Sequence, residues 1–344
     1  MATLANRFDQ FKKIAADRRW QALMLIPALA FYGWLAWQTY INWDSKLIAS
    51  IKLRPEGLVL ATVIQAVGYF LVVKLWGTLV GWLSKPLRYL EHLKIYAYSG
   101  LAAKLPGWLW GVATRIMLYE RVGISKSAIG LASGLETTSM AIASTFIIIL
   151  WQVFRADQAA LVSQPVLIGI LVVLGTLSHP LILRKLLSRL PNPALLRALD
   201  ILPWHRMILL IASHCLILVM GGACLFGIVT AVVGPQPHLL ATCIQVWALT
   251  TIWSVLLIWL PGDFGLRNSP FIIIFARFLP IPIVTILLGV WRLWISVMEL
   301  VWGAVGFGVT AWIERSKHQS PPTPVPTAAQ TPTQAMPTSG SSRP

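Results

Sequence analysis

Residues 93–118 read LKIYAYSGLAAKLPGWLWGVATRIML. A bilayer core of about 30 Å takes about 20 apolar residues of helix, and this stretch is long enough. Lys104, Pro106 and Gly107 nevertheless sit near its middle, with Arg115 further on. Proline removes a backbone donor and glycine loosens the turn, so an uninterrupted helix is not expected. The freed polar groups must be buried in protein or line a wet cavity, away from lipid. The stretch reads as a re-entrant or split helix. A second broken stretch, 264–290, opens after LPGDFGLRN (Leu260–Asn268) and carries Arg277, Pro280 and Pro282. The same physics applies there.

Around these breaks lie apolar runs at 21–41, 57–83, 127–153, 163–183, 207–233, 238–260 and 291–313, each long enough to span. The expected fold is all-α: a polytopic membrane helical bundle with about eight crossings plus a re-entrant or broken helix. Composition agrees. Of 344 residues 57% are hydrophobic and 12% charged, about half the charge of a soluble domain, which excludes an ordinary soluble enzyme. The 28 Lys and Arg exceed the 12 Asp and Glu by 16, a surplus that on so apolar a chain suits anionic lipid headgroups rather than nucleic acid. Cys215, Cys224 and Cys243 lie in apolar runs without metal-type spacing, so they read as small core residues, and no metal or cofactor is called for.

Short-loop basic residues stay on the cytoplasmic side. Arg7, Lys12, Lys13, Arg18 and Arg19 precede the first span, and Arg184, Lys185, Arg189, Arg197 and Arg206 crowd 184–206. Arg155 stands alone in 154–162. With 93–118 re-entrant and 264–290 crossing, both termini are cytoplasmic and the protein sits in the plasma (inner) membrane. The loop holding Lys46, Lys52 and Arg54 is discordant. Three regions follow. Residues 1–20 are a basic N-terminus whose Leu4, Phe8 and Phe11 recur at helical spacing, suited either to an in-plane helix on anionic lipid or to a solvated basic start. Residues 21–313 form the transmembrane domain. Residues 314–344 are rich in Pro, Thr and Ser, with nothing to bury, and are expected to be disordered. The first apolar run is too long for a signal core and reads as an anchor.

A charge inside a span is costly unless paired, hydrated or near an end, so each is a candidate site residue. Glu136 and Glu299 lie near the middles of their helices. Lys104, Arg115 and Arg277 belong to the broken stretches, and Lys74 is within reach of the headgroups. The competing reading makes Glu136 with Arg115, or Glu299 with Arg277, buried pairs that only fix helix packing. His179 and His214 read as satisfied core or cavity histidines rather than proton relays, and Trp108 and Trp110 as interfacial anchors. No P-loop, HExxH or GxSxG motif is present. One internal echo stands out. Leu105-Pro106-Gly107 is followed by Arg115 and a helix with Glu136; Leu260-Pro261-Gly262 is followed by Arg267, Arg277 and a helix with Glu299. Broken helices at corresponding places point to a substrate site between two halves of a transporter-like fold.

The run Ala102–Thr138, AAKLPGWLWGVATRIMLYERVGISKSAIGLASGLETT, resembles the signature of the lysylphosphatidylglycerol synthetase transmembrane, or flippase-like, family. Lys104, Pro106, Gly107, Gly111, Arg115, Gly123, Ser125 and Glu136 occupy its places. The later LPGDFGLRN resembles the family's Pro-Gly-Gly-x-Gly-x-Arg-Glu element through Pro261, Gly262, Gly265 and Arg267, with Asp263 in place of a glycine and Asn268 in place of glutamate. The aminoacyltransferase domain of the full-length synthetases is missing, so aminoacylation by this chain alone is not expected. The resemblance implies a membrane domain that moves or handles charged lipids.

The leading expectation is a lipid-headgroup site in which Lys104, Arg115, Arg267 and Arg277 hold a phosphate, since cationic donors match its oxygens. Glu136 and Glu299 balance those cations, and the Pro106-Gly107 and Pro261-Gly262 breaks open helix N-termini toward the phosphate. Membrane lipids, phosphate-bearing or anionic, are the expected partners. The alternative is a component that presents a polyprenyl-phosphate-linked sugar to a separate transferase, and a third reading is a purely structural scaffold.

Overall fold

In hydrocarbon a backbone must satisfy its own polar groups, and a run of apolar residues does so locally by coiling into a helix. The computed structural model describes residues 33–34, 36–41, 52–103, 110–154, 163–177, 179–187, 203–257 and 268–318. Among them every regular element is a helix: α1 (Pro55–Leu83), α2 (Tyr89–Ala102), α3 (Trp110–Arg121), α4 (Lys126–Phe154), α5 (Gln164–Leu177), α6 (Pro180–Leu187), α7 (Trp204–Val233), α8 (Leu239–Leu256), α9 (Ser269–Phe275) and α10 (Ile281–His318). Five of these, α1, α4, α7, α8 and α10, are long and apolar enough to cross a membrane. The chain is therefore a multi-pass membrane protein. The N-terminal residues 1–20 and the tail beyond His318 lie outside the described residues.

The first broken stretch is broken in the structure: α2 ends at Ala102, and a separate helix, α3, begins at Trp110. The second differs from expectation. The helix containing Glu299 begins ten residues earlier than its apolar run suggests, at Ile281 rather than 291, and extends unbroken to His318. Pro282 falls in its first turn, where a missing N–H costs nothing. What remains ahead of it is α9, seven residues long and about 10 Å in length. That is too short to cross, so 264–290 supplies no span of its own. The 163–183 run is likewise divided, into α5 and α6, ahead of Pro180.

α1, α4 and α7 run the length of the bundle, and two apolar cores form along them. One joins the later part of α1 (Trp76, Leu79, Val80) and the starts of α4 and α7 to Ile95 of α2 and Tyr119 of α3. The other joins Ala61 near the start of α1 and the later parts of α4 and α7 to α8, α9 and the first turns of α10. Hence α1 runs antiparallel to both α4 and α7. Close approach of α1 to α7 depends on small residues four apart on both helices, Gly57 and Ala61 facing Gly227 and Ala231. A Cβ on Gly57 would stand 2.5 Å from the Ala231 nitrogen and the Gly227 carbonyl oxygen. The remaining packing pairs α7 with α8, α8 with α4 and α2 with α10.

Candidate functional site

Arg115 is placed by the residues around it in sequence. Gly111, one turn earlier on α3, lets that helix press onto the end of α2: a Cβ there would lie 2.9 Å from the Cβ of Ala103 and 3.3 Å from the Ser99 carbonyl oxygen. Arg115 then faces α2, and its Nε donates to Ser99 Oγ at 3.3 Å. After α3 the chain reverses through Gly123, whose φ of 79° is open to glycine at little cost. Ser125 starts α4 by accepting the Ala128 N–H on Oγ at 3.3 Å, an N-cap arrangement. This turn lays the start of α4 beside α3 and brings Glu136 to Arg115.

The two meet at 2.8 Å, Arg115 Nη1 donating to Glu136 Oε2, with side chains only 15% and 18% exposed. The guanidinium is also enclosed by rings. Its carbon lies 4.3 Å from the centre of Trp76 and 4.5 Å from that of Tyr96, both within cation–π range. Trp76 is held in turn: its Nε1 donates to Tyr119 Oη at 2.8 Å, and Tyr119 Oη lies 2.7 Å from His92 Nδ1. An aromatic and hydrogen-bonded cage thus fixes the one arginine that the broken stretch contributes within the described residues.

Beside the pair lies a small cavity between α1, α2, α4 and α7, its wall including Trp76, Leu79, Tyr96, Glu136, Met140 and His214. The wall is mostly apolar, and the space suits water-sized groups rather than a whole headgroup. Glu136 lines it; Arg115 does not. The arginine is engaged by its internal partners.

Of the residues singled out by sequence, Arg115 and Glu136 are joined. Arg277 lies exposed on the turn between α9 and α10. Glu299 stands half-buried on α10, one turn before Gly303, which packs on Leu101 near the end of α2. The suggested pairing of these two fails for a physical reason. The unbroken α10 separates Ile281 from Glu299 by about 27 Å along its axis, so Arg277, ahead of Ile281, is not the partner of Glu299. Lys104, Pro106, Gly107, Pro261, Gly262 and Arg267 lie outside the described residues, and so does Trp108. Trp110 is exposed. Cys224 and Cys243 are buried and Cys215 partly so. Among the described residues no group of three or more potential metal ligands occurs.

Sequence reasoning did not find Trp76, Tyr96, Ser99 or Tyr119, the cage around Arg115. Trp76 is distant from Arg115 in the chain, and an aromatic in a membrane helix carries no mark of its partner. Comparison of the chain with protein-family models, with curated proteins and with solved structures finds no match.

Proposed function

We propose that the protein binds the charged headgroup of a lipid at the Arg115–Glu136 site and assists its passage between leaflets. The observation that carries this reading is a hydrogen-bonded arginine–glutamate pair, held inside the bundle between a broken helix and a spanning one, with the glutamate on the wall of a cavity. Intramembrane charges of this kind are expensive, and where they occur they commonly mark a substrate path. In the closed state Glu136 satisfies Arg115. Admission of a headgroup opens the cavity between α1, α2, α4 and α7, and its phosphate replaces the carboxylate on the guanidinium, whose planar donors suit it. In sequence, Lys104 and Arg267 stand beside the two Pro-Gly elements and add positive charge for the same headgroup. The resemblance of Ala102–Thr138 to the flippase-like family favours the same substrate class.

The order of helices supports a two-halved, transporter-like design. A long helix, a second helix, a break, a short helix and another long helix occur twice, as α1 to α4 and as α7 to α10. The halves are interleaved: α1 packs on α7, α2 on α10 and α4 on α8. α1 and α7 run in opposite senses, so the halves are inverted relative to each other, an arrangement in which substrate binds at the interface. In this reading α2–α3 and α8–α9 are hairpins entering from opposite faces. The end of α10 then lies on the side of α6, the cytoplasmic side of the inner membrane according to Arg184, Lys185 and Arg315.

Lipid translocation in proteoliposomes tests the assignment. Arg115→Ala and Glu136→Gln should each slow the transfer of a fluorescent anionic phospholipid at least about tenfold, the effect of losing about 1.4 kcal/mol. Rates equal to wild type in both variants would remove the site.

A further inference from the structure

His214 lies on α7, in the apolar run LLIASHCLILV (Leu209–Val219), and is 4% exposed. Its Nδ1 stands 2.9 Å from the carbonyl oxygen of Leu210. A carbonyl only accepts, so Nδ1 carries the proton. The same N–H lies 3.1 Å from Ser139 Oγ, whose own hydroxyl is engaged with the Leu135 carbonyl oxygen at 2.7 Å. Neutral His214 therefore keeps its lone pair on Nε2. Both hydrogen bonds of the ring are made at Nδ1, and the ring forms part of the cavity wall.

Glu136 is on the same wall, on α4 one turn before Ser139, whose Oγ meets His214. The titratable groups on the wall come from three helices: Glu136 from α4, Tyr96 from α2 and His214 from α7. Arg115 of α3 stands behind Glu136, against Tyr96 and Trp76, while α1 contributes only apolar and indole side chains to the wall. The space thus holds water-sized groups, and a carboxylate side chain and an imidazole side chain both stand on its wall. Its natural complement is a proton carried by water.

We propose that His214 is the proton-binding residue of this site: a proton taken on Nε2 makes it a cation facing Glu136, and Glu136 exchanges Arg115 for His214. The exchange frees the guanidinium for an anionic headgroup. Loss of the proton returns Glu136 to Arg115 and displaces the anion. No covalent bond is made or broken; the proton enters from water and leaves to water, and a proton gradient gives the cycle a direction. The inference rests on the lipid-handling reading above and adds the ion to which it is coupled.

Two measurements on the full chain separate the claims. In vesicles of phosphatidylethanolamine and phosphatidylglycerol with a trace of fluorescent phosphatidylglycerol, wild-type transfer should rise about threefold or more as the pH falls from about 8 to about 4, a span that covers the charging of an exposed and of a buried histidine. His214→Asn, which keeps a donor for Leu210, should lose that rise. Transfer by His214→Asn with the wild-type pH profile, or a flat wild-type profile, overturns the proposal. If no lipid moves in any variant, the lipid reading fails, and the proton site is judged by nuclear magnetic resonance of isotope-labelled histidine in nanodiscs. The resonance absent from His214→Asn should titrate as the pH falls from about 8 to about 4 and shift in Glu136→Gln. A His214 resonance unchanged across that range, or indifferent to Glu136→Gln, overturns it.

Discussion

Arg115 and Glu136, 21 residues apart on two helices joined by a single tight turn, meet at 2.8 Å inside the bundle. Three residues between and before them serve that meeting: Gly111 by close approach, Gly123 by its positive φ, Ser125 by starting α4. A pair so placed is either a packing device or a site, and the two roles predict different behaviour.

Removing one partner strands the other's charge, which costs about 3–5 kcal/mol when buried, whereas replacing both with apolar groups of similar volume is close to neutral. Arg115→Met and Glu136→Leu should therefore each lower the thermal midpoint in detergent, and the double variant should recover most of it. Lipid transfer should stay lost in all three. Recovery of transfer together with stability in the double variant would make the pair structural.

The crossing of α1 and α7 should tolerate no side chain at Gly57, because a Cβ there meets backbone at 2.5 Å. Gly57→Val is expected to cost about 1–3 kcal/mol through overpacking, read as a lowered midpoint. Gly130 has nothing within 4 Å of its Cβ position, so Gly130→Ala should hold or gain up to about 1 kcal/mol through helix propensity.

Gly123 is a third test of the geometry. With φ at 79°, Gly123→Ala forces a left-handed conformation on a residue with a Cβ, at a cost of about 1–2 kcal/mol. Thermal unfolding should show it, and an unshifted midpoint would contradict the described turn.

Tyr119 supports the cage from behind. Tyr119→Phe removes the acceptor of Trp76 Nε1 at 2.8 Å and the partner of His92, leaving a buried donor unsatisfied at about 1–3 kcal/mol. Trp76 then loosens against Arg115, so retained lipid should fall along with stability. Full retention of lipid at reduced stability would confine Tyr119 to packing.

The helical membrane architecture was legible because it rests on composition and run length, which the bilayer makes decisive. Arg115 and Glu136 were legible for the same reason: a charge in an apolar run stands out whatever it touches. Partnership was harder to read. Glu299 and Arg277 look like a second such pair until α10 proves continuous from Ile281, a helix start hidden because Pro280 and Pro282 resemble a break when Pro282 is in fact a first-turn residue. The cage of Trp76, Tyr96 and Tyr119 left no trace, since aromatic residues are ordinary in membrane helices. His214 was visible as a lone polar residue, but whether its second nitrogen was satisfied depended on which helix stood opposite.

The central claim is that a phosphate-bearing lipid occupies Arg115. Native mass spectrometry of the protein after gentle detergent extraction, comparing wild type with Arg115→Ala, measures this directly. A specific phospholipid or polyprenyl phosphate retained by wild type and lost from the variant is the predicted result and would identify the substrate class. Equal, nonspecific lipid on both proteins would contradict it.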